Sequence, residues 1–171
     1  MVKYRRPIKR SPKSDPQQYR LYRLENEAIG ARHYMRLPKR ALTTYVNSLI
    51  RAYGMPGIQI VFEDLGRWAA EWREPNIIVF GRKTTSRDLL TAAHEVAHHL
   101  HGWLMGELKQ QDHGPEFMAC YMSILDTSRM IPVVGMKAIC DSYGIEYLEP
   151  PSKPDVNKLR KVVRDGNSTQ R

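Results

Sequence analysis

The chain has 171 residues, of which 42% are hydrophobic, and it carries a formal net charge of +9. This length predicts one domain, and the hydrophobic fraction is large enough to form a core, which excludes a wholly disordered chain. The two cysteines lie outside any CxxC pattern, and no apolar run approaches the ~18 residues of a membrane span. We therefore expect a soluble, reduced, cytoplasmic protein that binds no membrane, with a monomer as the favoured state.

The positive charge is concentrated at the two ends of the chain. Residues 1–23 contain eight Lys and Arg against one acidic residue, and residues 152–171 contain six against two, whereas the middle is nearly neutral. Because basic arms attract polyanions, DNA is an expected partner of both ends. The alternative is a pair of solvated tails that keep the protein soluble. We divide the chain into a basic arm at 1–16, a single domain at 17–150 and a basic tail at 151–171.

The first half of the chain predicts two helices and then three strands. Residues 17–36 are typical of a helix that ends before Leu37-Pro38, because the residue before a proline avoids helical geometry. A second helix follows Pro38, with apolar residues along one face, and Gly54 ends it. Short β-rich runs bounded by turn residues come next, at 57–62, 67–72 and 76–80.

The second half of the chain predicts three helices, at about 85–104, 114–129 and 132–144. At the start of the first of them, either Thr85 or Ser86 can cap the N-terminus. Together, the two halves predict an α+β fold, in which a small, mainly antiparallel three-stranded sheet packs with helices.

The helix at 85–104 carries a concentration of histidine. His94 and His98 share one face of a helical wheel, opposite the apolar residues, and His94-Glu95-x-x-His98 forms an HExxH pattern. Histidines one turn apart can direct ring nitrogens at one zinc ion, with the glutamate beside the open coordination position. Glu95 can then take a proton from a zinc-bound water and pass it to a leaving amine. The pattern predicts a zinc hydrolase site with Glu95 as general base; a fortuitous surface cluster is the alternative.

A zinc hydrolase needs a third protein ligand. His101 shares the histidine face but lies ~10 Å along the axis from the first histidine, at 1.5 Å per residue. We therefore interpret His101 as a residue near the site that does not bind the metal, and His99 as an exposed or rim residue. His113, just before the next helix, is the favoured third ligand, and Glu116 is the alternative. Three histidines make one zinc ion per chain the expected cofactor.

Peptide hydrolysis also needs a donor for the developing oxyanion. Tyr121, two helical turns past His113, is one candidate, and Arg67 and Arg82 from the predicted sheet are others. Each of them can equally be structural. An edge of the sheet, near the strand at 76–80, could hold an extended peptide by strand addition.

The motifs "HEVAHHLH" and "HGPEF" together resemble those of the SprT-like zinc metallopeptidases. The resemblance is closer still to a compact group of metallohydrolases from actinobacteria and their phages, and it covers roughly residues 21–144. It implies a zincin-like domain in which His94, His98 and His113 ligate zinc and Glu95 is the general base. It also implies a tight turn at Gly114, a core position for Phe117, and a host cytoplasm location if the chain is phage-encoded.

The resemblance further implies a protease that acts on DNA-associated proteins. SprT-like proteins often carry a zinc ribbon built from CxxC pairs, which two isolated cysteines cannot form. DNA targeting would then depend on the basic arms.

The sequence therefore favours a zinc-dependent metallopeptidase with a protein or peptide substrate. Two alternatives remain open: a nucleic-acid-binding protein with a structural or catalytically silent zinc site, and a zinc hydrolase of a non-peptide substrate. Glu95 favours an enzyme, because a structural zinc site has no need of a base beside the metal.

Overall fold

The structure, a computed structural model, describes residues 15–30, 35–66, 69–73, 75–82, 87–106 and 112–151. Within these ranges the chain forms five α-helices and one three-stranded sheet, which confirms the predicted α+β class. The elements in chain order are α1 (Gln18–Leu24), continued by a π-helical turn (Glu25–Ile29), α2 (Lys39–Tyr53), β1 (Gln59–Glu63), β2 (Ala70–Arg73), β3 (Ile77–Gly81), α3 (Leu89–Met105), α4 (Pro115–Thr127) and α5 (Val133–Tyr143).

The sheet is mixed rather than mainly antiparallel. Its strand order is β1-β3-β2, with β3 parallel to β1 and antiparallel to β2. The last strand takes the central place because Ile78, Val79 and Phe80 are all buried, so both of its faces are covered. This leaves β2 as an edge strand. Arg67 and Trp68, which open the strand predicted at 67–72, lie outside the described residues.

Several helix ends follow the sequence signals and others differ. Gly54 and Gly144 end α2 and α5 in the left-handed conformation, at φ 62° and 63°. Arg36, predicted as helical, instead pairs with Asp88 in an isolated bridge. The cap of α3 is Asp88 itself, whose side chain accepts a hydrogen bond from the Thr91 amide at 2.8 Å. The predicted caps, Thr85 and Ser86, lie outside the described residues.

The core surrounds α3, which is buried on nearly every side. This helix packs against α4, β2 and α2, and its buried positions run from Leu90 to Leu104. A helix that is covered on nearly every side has apolar residues around most of its circumference. The histidine face of α3 is therefore less distinct from the apolar face than the helical wheel predicts. Of the helices in the described ranges, none combines the length and the apolar character that crossing a membrane would require.

Candidate metal centre

Three histidines converge, two from α3 and one from just before α4. His94 and His98, one turn apart on α3, have Nε2 atoms 3.1 Å from each other. His113, two residues before α4, places its Nε2 atom 3.2 Å from that of His94. The candidate ligand atoms all lie within 4.8 Å of one another, so the group could hold one metal ion. Bonds of 2.0–2.1 Å at tetrahedral angles would separate such nitrogens by about 3.3–3.4 Å, close to the separations of 3.1 Å and 3.2 Å in the structure.

The ring of Phe117 packs against all three imidazole rings. Its ring centroid lies 4.4 Å from that of His98, 5.0 Å from that of His113 and 5.2 Å from that of His94. Phe117 is fully buried on α4, so one side chain fixes the position of α4 relative to the histidines of α3. The chain turns at Asp112 and His113 and bends at Gly114 before α4 begins, and the Gly114 φ of −69° is a value open to any residue.

Carboxylates hold the outer nitrogens of two of the histidines. His94 Nδ1 lies 2.7 Å from Glu25 Oε1, and His113 Nδ1 lies 2.5 Å from Asp15 Oδ2. Because a carboxylate only accepts hydrogen bonds, each Nδ1 carries the proton, and each Nε2 of the neutral rings presents a lone pair. Two lone pairs 3.2 Å apart repel each other, whereas a cation between them is attracted by both. The donor set therefore fits a metal ion that favours imidazole, of which zinc is the common example.

The two carboxylates affect the two histidines differently. Burial lowers the pKa of His94, but the charge of Glu25 and its hydrogen bond outweigh burial, so the pKa is raised overall. Burial dominates at His113 and lowers its pKa, although the hydrogen bond to Asp15 opposes this. His113 is therefore neutral, and able to act as a ligand, at neutral pH.

Glu95 lies beside the histidine group on the same helix and is only 7% exposed. Burial raises the pKa of Glu95 to about 7, although the charge of His94 and a hydrogen bond from the Trp72 backbone amide both lower it. A cation bound by the histidines would lower the pKa further. The carboxylate therefore titrates near or below neutral pH, the range that suits a general base.

Trp72 connects the edge strand to the histidine helix. Its indole stacks on the ring of His98, with centroids 6.3 Å apart and planes 11° apart. Gly102, one turn beyond His98 on α3, makes room for the indole: a Cβ atom there would lie 2.8 Å from Cη2 of Trp72. The absence of a side chain at this position therefore lets β2 approach the centre closely.

We expect Gly102→Ala to destabilise the protein by about 1–3 kcal/mol, because overpacking forces the Trp72 indole away from His98. The midpoint of thermal unfolding measures the effect. Gly135→Ala on α5 is the matched control, since its Cβ would come no nearer than 3.6 Å to Ile131. Alanine is the better helix former, so this control should be neutral or slightly stabilising. Equal midpoints for the two variants would contradict the close packing at Gly102.

Other predicted site residues lie elsewhere. His99, expected to be exposed, is 1% exposed and its Nε2 lies 3.1 Å from the Pro56 carbonyl oxygen, because α3 is covered on that side too. His101 is also buried, beside Phe117 at 6.2 Å between centroids. Among the described residues the candidate ligand group contains His113 and not Glu116. Arg82 is exposed after β3, and Arg67 lies outside the described residues.

Tyr121 was predicted as a candidate oxyanion donor, and its surroundings differ from that expectation. It is fully buried, and its hydroxyl donates to Glu25 Oε1 at 2.8 Å. The same oxygen accepts from His94 Nδ1, so Tyr121 lies on the side of His94 opposite the converging Nε2 atoms. This contact orients Glu25 and, through it, His94.

Four residues of the site were not predicted from the sequence: Asp15, Gln17, Tyr22 and Glu25. In the sequence, Asp15 is the one acid of a basic stretch, and the other three belong to a segment that predicts an ordinary helix. Of these, Glu25 and Tyr22 lie on the face of the first helix that packs over the histidines. The available signal was weak: an acidic residue directly after the apolar Leu24.

No protein-family model, curated protein or solved structure matches the chain. The class of the protein therefore depends on its own fold and site. It is an α+β protein with an HExxH helix, in which three histidines form a group that could hold one metal ion.

Proposed function

We propose that the chain is a zinc-dependent metallopeptidase of the SprT-like type. The observation that carries the proposal is the combination of three converging histidines with a buried carboxylate, Glu95, on the same helix. Three protein ligands leave a coordination position open, and a base beside an open position is the arrangement of catalytic rather than structural zinc sites.

The residues of the chain divide the chemistry as follows. His94, His98 and His113 would hold the zinc ion, which when bound supplies Lewis-acid activation of water and of the substrate carbonyl. Glu95 takes the proton that the attacking water loses and delivers it to the leaving amine. The Trp72 amide holds the Glu95 carboxylate in place during both transfers.

The edge strand β2 supports peptide as the substrate. The central strand β3 is paired on both sides, so a peptide cannot add to it. The edge strand next to β3 on the side of the histidine helix is β2, and a peptide can add there. The Trp72 amide of β2 already reaches Glu95, so the open edge of β2 runs past the base. An extended peptide added to this edge would bring its backbone to the histidine group.

Tyr22 is better placed than Tyr121 to stabilise an oxyanion. Its ring centroid lies 6.0 Å from that of His94 and 5.7 Å from that of His113. Its hydroxyl accepts a hydrogen bond from Gln18 Nε2 at 3.1 Å, and among the described residues no acceptor takes its own proton. That proton is free to be donated to a substrate oxygen.

We expect Tyr22→Phe to lower kcat by ~10²–10³, the usual cost of losing one oxyanion donor, with a smaller effect on KM. Steady-state kinetics on a peptide substrate measure both constants, and chelator competition measures zinc affinity, which should not change. Tyr143→Phe is the control, because its hydroxyl meets the exposed Glu27 instead. A kcat unchanged in Tyr22→Phe would remove Tyr22 from the mechanism.

The basic ends support a substrate found on DNA. Residues 1–14 and 152–171 lie outside the described residues, but the net positive charge of the chain is concentrated in them: they contain twelve Lys and Arg against two acidic residues. We propose that they bind DNA and bring the protease to DNA-associated proteins. Release of counterions makes such binding weaken steeply as salt rises.

The function is tested by a cleavage time course with zinc-loaded and chelator-stripped protein, each with and without single-stranded DNA. The readouts are self-cleavage and loss of an added DNA-binding protein. We expect cleavage only with zinc, and faster cleavage with DNA. A zinc-loaded protein that binds DNA and cleaves nothing would favour a binding protein with a silent zinc site, or a non-peptide substrate.

A further inference from the structure

Two residues just before α1, Asp15 and Gln17, hold the third histidine. Asp15 Oδ2 lies 2.5 Å from His113 Nδ1, and Gln17 Nε2 donates to the His113 carbonyl oxygen at 2.9 Å. The side chain and the backbone of His113 are therefore both held by one short segment, residues 15–17. This segment joins the basic residues at the chain's beginning to the folded domain.

Gln17 also ties this segment to the chain that follows α5. Its Nε2 donates to the Glu146 carbonyl oxygen at 3.0 Å, and its Oε1 accepts from the Glu146 amide at 2.8 Å. Gln17 is only 3% exposed. The Gln17 side chain hydrogen-bonds to two backbone segments. Replacing it would leave several buried backbone groups without a partner, so these bonds fix the position of Gln17 in the fold.

The metal and segment 15–17 require the same orientation of His113. A metal ion needs Nε2 turned toward His94, and Asp15 accepts from Nδ1 only in that orientation. A carboxylate on the outer nitrogen also makes the ring a more basic ligand. When two events favour one conformation, each strengthens the other by the same factor.

We propose that Asp15 and Gln17 are positioning residues for His113, so that docking of residues 15–17 and metal binding at the three histidines form one coupled equilibrium. This inference rests on the proposed metal centre and not on peptidase activity. Metal binding tightens the segment, and a segment that cannot dock weakens the metal site.

The first test is the affinity for zinc, measured by competition with a chromophoric chelator. Asp15→Asn should bind zinc ~10–100-fold more weakly, the usual loss when the partner of a ligating histidine changes. Gln17→Ala should also lose affinity. The matched controls are Asp64→Asn, in an exposed turn, and Gln59→Ala, exposed on β1, neither of which should change it.

Two further readouts separate positioning from general stability. The visible absorption bands of the cobalt-loaded protein should differ between wild type and Asp15→Asn, because the geometry at His113 changes. Saturating zinc should slow amide exchange in residues 17–24 of the wild type. In Asp15→Asn this protection should be reduced.

An Asp15→Asn variant with wild-type zinc affinity and cobalt bands would overturn the coupling, as would wild-type exchange that zinc leaves unchanged. If Asp15→Asn does not fold, Gln17→Ala and the wild-type exchange decide. A wild type that binds no zinc would overturn the metal centre and the coupling together. A wild type that binds zinc but cleaves nothing leaves the coupling intact and removes only the peptidase.

Discussion

His113→Ala is expected to abolish stoichiometric zinc binding at micromolar protein. The loss should exceed the ~10–100-fold effect of changing an outer carboxylate, because a ligand is removed rather than an orienting partner. The change also removes the partner of the partly buried Asp15 carboxylate, which contacts the His113 ring. Equilibrium dialysis followed by metal analysis gives the stoichiometry, and chelator competition gives the affinity.

His101→Ala is the control for this experiment. His101 lies on the same helix as two of the three candidate ligands and is itself buried, but it is outside the candidate ligand group. It should lose stability from the cavity it leaves and keep one zinc per chain. Zinc binding that survives His113→Ala but not His101→Ala would contradict the proposed centre.

Glu95→Gln is expected to lower kcat by at least ~10²–10⁴, the contribution of a positioned general base, while zinc stays bound. Glutamine keeps the size of the side chain but cannot accept a proton at working pH. Kinetics on a peptide or on an added DNA-binding protein measure the loss. Zinc analysis of the same sample shows that the metal centre is intact.

The pH dependence supplies an internal check on Glu95. A general base acts when ionised, so kcat/KM should rise with pH through its pKa. That pKa is about 7 in the metal-free protein and lower when a cation is bound. The increase in kcat/KM should therefore be centred at or below pH 7. Glu116→Gln, the neighbouring acid on α4, should keep both the activity and the profile. If Glu95→Gln stays active and its kcat/KM still increases with pH as in the wild type, Glu95 is not the general base.

The part of the site that could be predicted from the sequence depends on local spacing. His94 and His98 are brought together by one helical turn, and His113 precedes a helix start marked by Gly114-Pro115. Short-range rules cover such cases, because the distances are set by helix geometry and by a single connection. The glycine stop of α2 was predicted for the same reason.

The remainder depended on tertiary packing. Asp15 and Glu25 reach the histidines across 98 and 69 residues of sequence, and no local pattern distinguishes them from solvent-exposed acids. His99 looked exposed on a helical wheel, but a wheel shows only the angle between residues, not how much of the helix is covered. The pairing of β3 with β1 was also hidden, because three consecutive strands usually form antiparallel neighbours.

The claim that three histidines hold one zinc ion and leave a position open is tested most directly by X-ray absorption at the zinc edge. The sample is wild-type protein loaded with one equivalent of zinc, with His113→Ala measured beside it. The account predicts three imidazole nitrogens at about 2.0–2.1 Å and one oxygen from solvent, with one imidazole fewer in the variant. A shell with sulfur, with four protein ligands, or with the same imidazole count in both proteins would contradict it.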